Sequence, residues 1–238
     1  MNILLTGASR GIGAATLVHL RNAGHHVVGQ STAGSDELIA ADFTDPAAPR
    51  ALWQTALAEL GTIDVLVNNA GVFEGVADDA TDAEWHAVWG RTLGINLQAS
   101  ADLCRFAIGH FRERGGVDAK QGGRIVNVAS RAAYRGDSPQ HWQYAASKAG
   151  MVGMTKSIAR GYAIENILAF AVCPGFVMTG MAEEYLASRG GEQLLADIPL
   201  GRVADPAEIA ETIRWLATDA PPSATGAVID VNGASFVR

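Results

Sequence analysis

Thr6-Gly7-Ala8-Ser9-Arg10-Gly11-Ile12-Gly13 stands between a short apolar run, Ile3–Thr6, and a stretch of helical period, Gly13–Ala23. Glycines at this junction let the backbone turn sharply and come close to a ligand. The helix that follows offers free N–H groups and a partial positive charge at its start, which suits a phosphate. The spacing, Gly-x-x-x-Gly-x-Gly, differs from the commoner Gly-x-Gly-x-x-Gly dinucleotide pattern. Its place between first strand and first helix decides the reading in favour of nucleotide binding over a plain tight turn.

Outward from this stretch, apolar runs alternate with longer helical patterns. Candidate strands are Ile3–Thr6, Val27–Gln30, Glu37–Ala41, Val65–Asn68, Arg124–Ala129, Leu168–Val172 and Ala227–Val231. Helical periods fill Gly13–Ala23, Pro46–Leu60, Asp82–Arg114, Tyr144–Glu165 and Pro206–Thr218. Continuous apolar strands separated by helices predict an α/β fold, a doubly wound parallel sheet of seven strands, Rossmann-type, covered on both faces. Ligands of such sheets lie beyond the carboxyl ends of the strands. Only Ser31–Asp36 separates the second strand from the third, too little for a crossover helix. Without a linker or internal repeat, residues 1–238 read as one domain.

Composition excludes some alternatives. The net charge of −7 argues against a general phosphate-backbone binder, while a local basic pocket for one phosphate stays open. No apolar run reaches the ~20 residues that span a bilayer. Nothing ahead of the first strand has the form of a targeting segment, so the expectation is a soluble cytoplasmic protein. Cys104 and Cys173 lack metal-ligand spacing and read as small buried hydrophobes; no metal is expected.

The second informative stretch is Tyr144-Ala145-Ala146-Ser147-Lys148. Residues four apart on a helix share a face, so the ammonium can approach the phenol. Tyrosine ionises near pH ~10, too high for proton transfer at neutrality. A nearby cation favours the phenolate and brings that value down.

With the glycine stretch, Asn68-Asn69-Ala70-Gly71 after the fourth strand, and Tyr144 with Lys148 in this order, the chain resembles the short-chain dehydrogenases/reductases, in their 3-oxoacyl reductase-like branch. The resemblance spans nearly the whole chain, through Pro199–Arg202 and Gly226 to Asn232-Gly233. It implies a nicotinamide-dependent oxidoreductase that interconverts a carbonyl and a secondary alcohol, with Tyr144 as general acid/base. Ser130, after the fifth strand, would hold the substrate oxygen, with Ser138 in reserve because the Ser130–Tyr144 interval is one residue longer than usual. Asn96 would hold a water that links Lys148 to solvent.

For the cofactor the resemblance implies Gly7, Ser9, Arg10, Gly11, Ile12 and Gly13 around the pyrophosphate. Asp42 and Phe43 would border the adenine, although Asp42 also reads as a turn-capping aspartate. Asn69, Ala70 and Gly71 would flank the adenosine side, and Tyr144 and Lys148 would also touch the cofactor. Pro174, Gly175, Val177 and Thr179 would hold the carboxamide. Strand two ends in Gln30-Ser31-Thr32 with no acid to accept a ribose 2′-hydroxyl. Ser31 and Thr32 with Arg10 favour NADP, while Asp36 or Glu37 swinging in would favour NAD.

Arg131, Tyr134, Arg135, His141 and Trp142 fall where relatives line the substrate pocket, and the arginines would meet an anionic substrate or solvent. A lid is expected over about 178–200. Phe170 and Ala171 replace a frequent asparagine, and Phe170 reads as packing. The partners implied are a small carbonyl or alcohol and further copies of the chain, as homotetramer or homodimer. A nucleotide-binding regulatory protein with little turnover is the alternative; it would need only the glycine stretch.

Overall fold

The computed structural model describes residues 1–115, 122–178 and 191–238. Seven strands form one parallel sheet: β1 Asn2–Leu5, β2 His26–Ser31, β3 Leu38–Ala40, β4 Val65–Asn68, β5 Gly123–Val128, β6 Ile167–Pro174 and β7 Val228–Val231. Their order is β3-β2-β1-β4-β5-β6-β7, and every neighbouring pair runs parallel. The chain leaves β1 toward one edge and returns at β4 on its other side. The crevice of a doubly wound sheet opens at such a reversal.

The helices are α1 Gly11–Asn22, α2 Ala48–Leu60, α3 Asp82–Leu93, α4 Ala99–Gly115, α5 Ala132–Arg135, α6 Trp142–Tyr162, α7 Gly191–Ala196 and α8 Pro206–Thr218. Capping boxes start two of them. Thr81 and Glu84 exchange hydrogen bonds at the head of α3, and Asp205 and Glu208 do so at the head of α8, where Pro206 follows the cap.

Alternate residues of each strand feed opposite faces, as the pleat requires. Leu4, Leu66 and Ile125 pack with Leu52 and Trp53 of α2 and Leu103 and Phe111 of α4. Ile3, Leu5, Val65 and Val67 pack with Leu17 and Leu20 of α1 and Ile209, Ile213 and Leu216 of α8. Phe170 is fully buried in this second layer, in register with Val126, so packing accounts for it. Cys104 and Cys173 are buried free thiols.

The expected strands lie within two residues of their observed limits. The short β2–β3 connection holds no helix, and Gly34 turns it at φ +71°. The expected unbroken helix over Asp82–Arg114 is a correction: α3 and α4 are separated by a π-helical turn, Gly94–Gln98. Such a turn widens the backbone by one residue, and hydrophobic periodicity does not signal it. Helix α6 begins at Trp142 rather than Tyr144, which puts Tyr144 in its first turn. The expected lid falls mainly on 179–190, outside the described residues. Among the described residues no helix is long and apolar enough to cross a membrane.

Candidate active site

The loop after β1 is shaped by contacts that tolerate only glycine. Gly7 and Gly11 have φ of +67° and +54°, in the left-handed region. A Cβ on Gly13 would lie 1.9 Å from the Gly7 carbonyl oxygen, so the helix start sits directly on the loop. No side chain caps α1. Its first N–H groups are thereby left for a ligand, and the cradle fits a pyrophosphate.

Side chains at the carboxyl ends of β1, β2 and β4 hold the loop in place. The Thr6 hydroxyl accepts from the N–H groups of Asn69 and Ala70, each at 3.0 Å. Asn69 Nδ2 donates to the carbonyls of Thr6 and Gly7. Gln30 accepts from the Gly7 N–H at 2.9 Å and donates to the Ala41 carbonyl at 2.6 Å. Sequence reasoning gave Gln30 no role; its signal was a glutamine inside a buried strand.

At the far end of this crevice, Ser31 is buried and accepts from the Gly34 N–H. Thr32 is exposed beside it, and Arg10 is exposed with no side-chain partner among the described residues. Glu37 is paired with Arg21 at 2.8 Å, which draws it away from the crevice. The Asp42 carboxylate accepts from the Thr44 N–H, and that bond holds it below its ordinary value. One of its oxygens therefore serves the turn; Phe43 beside it is buried.

The ends of β4, β5 and β6 bring the second group together. Asn68, at the end of β4, donates to Asn127 at 2.9 Å, and Asn127 donates to Thr155 of α6 at 2.9 Å. This buried chain ties two strands to α6, the helix that carries Tyr144 and Lys148. Ser130 follows β5, is buried, and accepts from the Ala132 N–H at 3.1 Å. Its side chain lies close enough to the Tyr144 phenol to pull that group's pKa down. Lys148 is buried, donates to the Val128 carbonyl at 2.9 Å, and lies 5.8 Å from the centroid of the Tyr144 ring.

Asn96, in the π-helical turn, is fully buried. It accepts from the Val72 N–H at 2.8 Å and donates to the Val72 carbonyl and the Ser147 hydroxyl. The absent side chain of Gly71 leaves space between it and Lys148: a Cβ there would stand 3.3 Å from Asn96 Oδ1 and 3.5 Å from Lys148 Nζ.

Burial dominates the electrostatics. It pushes the Tyr144 phenol up to about 12, against the opposing pull of the Ser130 side chain. It draws the Lys148 ammonium down to about 8. Each shift opposes the charged form, because a charge taken out of water loses solvation.

Other expected residues are placed differently. Arg131 and Arg135 both bond the Asp197 carboxylate, so neither is an unpaired cation offered to a substrate. Arg131 also lies over the Phe176 ring at 4.5 Å. Tyr134 stacks on Phe236 and its hydroxyl accepts from Arg238, so it faces the C-terminal segment. Ser138 is exposed and bonds His141 Nδ1 at 2.7 Å, whereas it is Ser130 that reaches Tyr144.

At the end of β6, the Pro174 carbonyl accepts from the Arg131 N–H. Gly175 lies against Asn232, where a Cβ would come within 2.8 Å of its Cα. Val177 bridges to Ala204. Thr179 lies outside the described residues.

Comparison with known proteins places the chain among relatives of the same length. The family model described as enoyl-(acyl carrier protein) reductase matches residues 7–234. An acetoacetyl-CoA reductase from Rhizobium meliloti (strain 1021) is 34% identical over 98% of this chain and 97% of its own. A 3-oxoacyl-(acyl-carrier-protein) reductase from Escherichia coli (strain K12) is 32% identical over 98% and 96%. A crystal structure of a candidate 2-deoxy-d-gluconate 3-dehydrogenase from Agrobacterium tumefaciens, with bound NADP, superposes with a TM-score of 0.85. It is 27% identical and covers 99% of this chain and 96% of that one. The chain belongs to the short-chain dehydrogenase/reductase family of oxidoreductases, and its relatives include the 3-oxoacyl and acetoacetyl-CoA reductases.

Proposed function

We propose that this protein is an NADP(H)-preferring reductase or dehydrogenase that interconverts a carbonyl and a secondary alcohol, with Tyr144 as general acid/base. The observation that carries the reading is the convergence of Ser130, Tyr144 and Lys148 beside a glycine cradle shaped for a pyrophosphate. The nicotinamide, when bound, supplies or accepts the hydride.

The chain's own residues manage the proton and the geometry. Ser130 donates toward the substrate oxygen and steadies the charge that develops there. Tyr144 gives its proton to that oxygen in reduction and takes it back in oxidation. Lys148 keeps two N–H donors beyond its bond to Val128, enough to hold a ribose hydroxyl and a water. The space beside Gly71 admits that water next to Asn96.

Arg10, Ser31 and Thr32 form the 2′-phosphate site. The pairing of Glu37 with Arg21 supports NADP over NAD, because it engages one of the two acids that would favour NAD. The relatives' names point to a 3-oxoacyl thioester as substrate, and a small ketone offers the same carbonyl. A regulatory nucleotide binder would gain nothing from burying a lysine beside a tyrosine, and the enzyme reading is preferred for that reason.

The test is turnover of a panel of 3-oxoacyl thioesters and small ketones with NADPH and NADH, in the wild type and in Tyr144→Phe. The variant is expected to keep its NADPH affinity and to lose turnover by at least ~10²-fold. Undiminished turnover would remove Tyr144 from the chemistry.

A further inference from the structure

Between β4 and α3, the loop of residues 71–77 places Phe73 beside Tyr144. The Phe73 ring stacks on the His141 imidazole with centroids 3.9 Å apart and planes within 3°. The same ring meets Tyr144 edge to face, at 4.8 Å and 88°. The edge-to-face geometry is one that aromatic quadrupoles favour, and the stacked pair is a close, nearly parallel contact. Phe73 remains 46% exposed, so burial alone gives little reason for an aromatic side chain here.

The pair is fixed from both sides. Val76 N–H donates to the Gln140 carbonyl at 2.9 Å, and Gln143 Nε2 donates to the Glu74 carbonyl at 2.6 Å. Arg91 holds the Glu74 carboxylate at 2.9 Å. The loop after β4 is thereby fastened to the turn that leads into α6. His141 is oriented through Nδ1 by Ser138, and its other ring nitrogen lies against Gly75, where a Cβ would stand 3.2 Å away.

We propose that Phe73 and His141 act as positioning residues for Tyr144, a stacked brace that holds the phenol ring so that its hydroxyl stays directed at Ser130. The inference rests on the reading of Tyr144 as the proton donor. Tyr144 sits in the first turn of α6 and is only half-buried, so its own helix leaves the ring partly free. The brace supplies the constraint that the core does not.

The test has two readouts. In Phe73→Ala, kcat is expected to fall about 10-fold with KM changed less than about 3-fold, because displacement of a reacting group by a fraction of an ångström costs rate rather than binding. Phe73→Tyr keeps the planar ring and should restore the rate to within about 3-fold, whereas Phe73→Leu should not. Phe73→Ala combined with His141→Ala should lose no more than the worse single variant, since the two act as one unit. Multiplicative losses, or full activity in Phe73→Leu, would overturn the proposal.

The second readout needs no turnover. Fluorine NMR of fluorotyrosine-labelled protein, with Tyr144→Phe assigning the signal, should show one sharp Tyr144 resonance in the wild type. That resonance should broaden or split in Phe73→Leu. An unchanged resonance would overturn the brace even if Tyr144→Phe retained activity, so failure of the brace and failure of the enzymatic reading are told apart.

Discussion

Lys148 reaches the Val128 carbonyl at 2.9 Å with its ammonium 5.8 Å from the centroid of the Tyr144 ring; the lysine is buried and the tyrosine half-buried. One turn of α6 sets their spacing, and β5 supplies the carbonyl that aims the lysine. The pair is electrostatically uncomfortable in the free protein: burial pulls Lys148 down to about 8 and pushes Tyr144 up to about 12.

That discomfort has a measurable sign. Between about 8 and the ordinary lysine value, the unfolded chain holds a proton that folded Lys148 has lost, so stability rises with pH. Above ~10 the unfolded phenol ionises while folded Tyr144 keeps its proton, and the trend reverses. Urea unfolding at about pH 7 and about pH 9 should show the rise in the wild type. Lys148→Met should lack it and gain on the order of 2 kcal/mol near neutrality, while turnover falls at least ~10²-fold. A variant no more stable than wild type at about pH 7 would contradict the assignment.

Arg10 stands exposed at the head of α1 without a partner among the described residues. Arg10→Ala should weaken NADP binding at least ~10-fold, the scale of a lost charge-assisted contact. NAD binding should change less than about 3-fold by calorimetry. Equal losses for the two cofactors would place the 2′-phosphate elsewhere.

Gly13→Ala tests the cradle. Its added methyl would fall 1.9 Å from the Gly7 carbonyl oxygen, backbone that cannot move without opening the loop. We expect a loss of ~1–3 kcal/mol in stability and of measurable NADPH fluorescence enhancement. An unperturbed melting temperature with normal binding would show that the loop relaxes.

The polar chain Asn68–Asn127–Thr155 is expected to be structural. Thr155→Val keeps the shape but leaves a buried Asn127 donor without its acceptor, at a cost of ~1–3 kcal/mol by thermal or urea unfolding. KM should be little affected. A specific fall in kcat without loss of stability would instead make this chain part of the proton path.

Much of the fold was legible because it depends on local signals. Alternation within Ile3–Leu5 and Val65–Val67 divides the two core layers, and strands are separated by helical periods of sufficient length. The π-helical turn at Gly94–Gln98 was not legible, since a single five-residue turn is too short for its own period to stand out in the apolar pattern. Nor were the fates of Arg131 and Arg135 legible. Their partner Asp197 lies more than sixty positions away, and charge pairing at that distance depends on tertiary closure.

By itself the sequence determined the parallel doubly wound fold, the glycine cradle and the helical pairing of Tyr144 with Lys148, because each follows from spacing along a single element. Only the tertiary structure decided what surrounds that pair. Ser130 rather than Ser138 meets the phenol, Gln30 locks the cradle, and Phe73 stacked on His141 stands against the Tyr144 ring. The physical reason is that burial and side-chain contact are sums over distant elements, and periodicity carries no record of which elements meet.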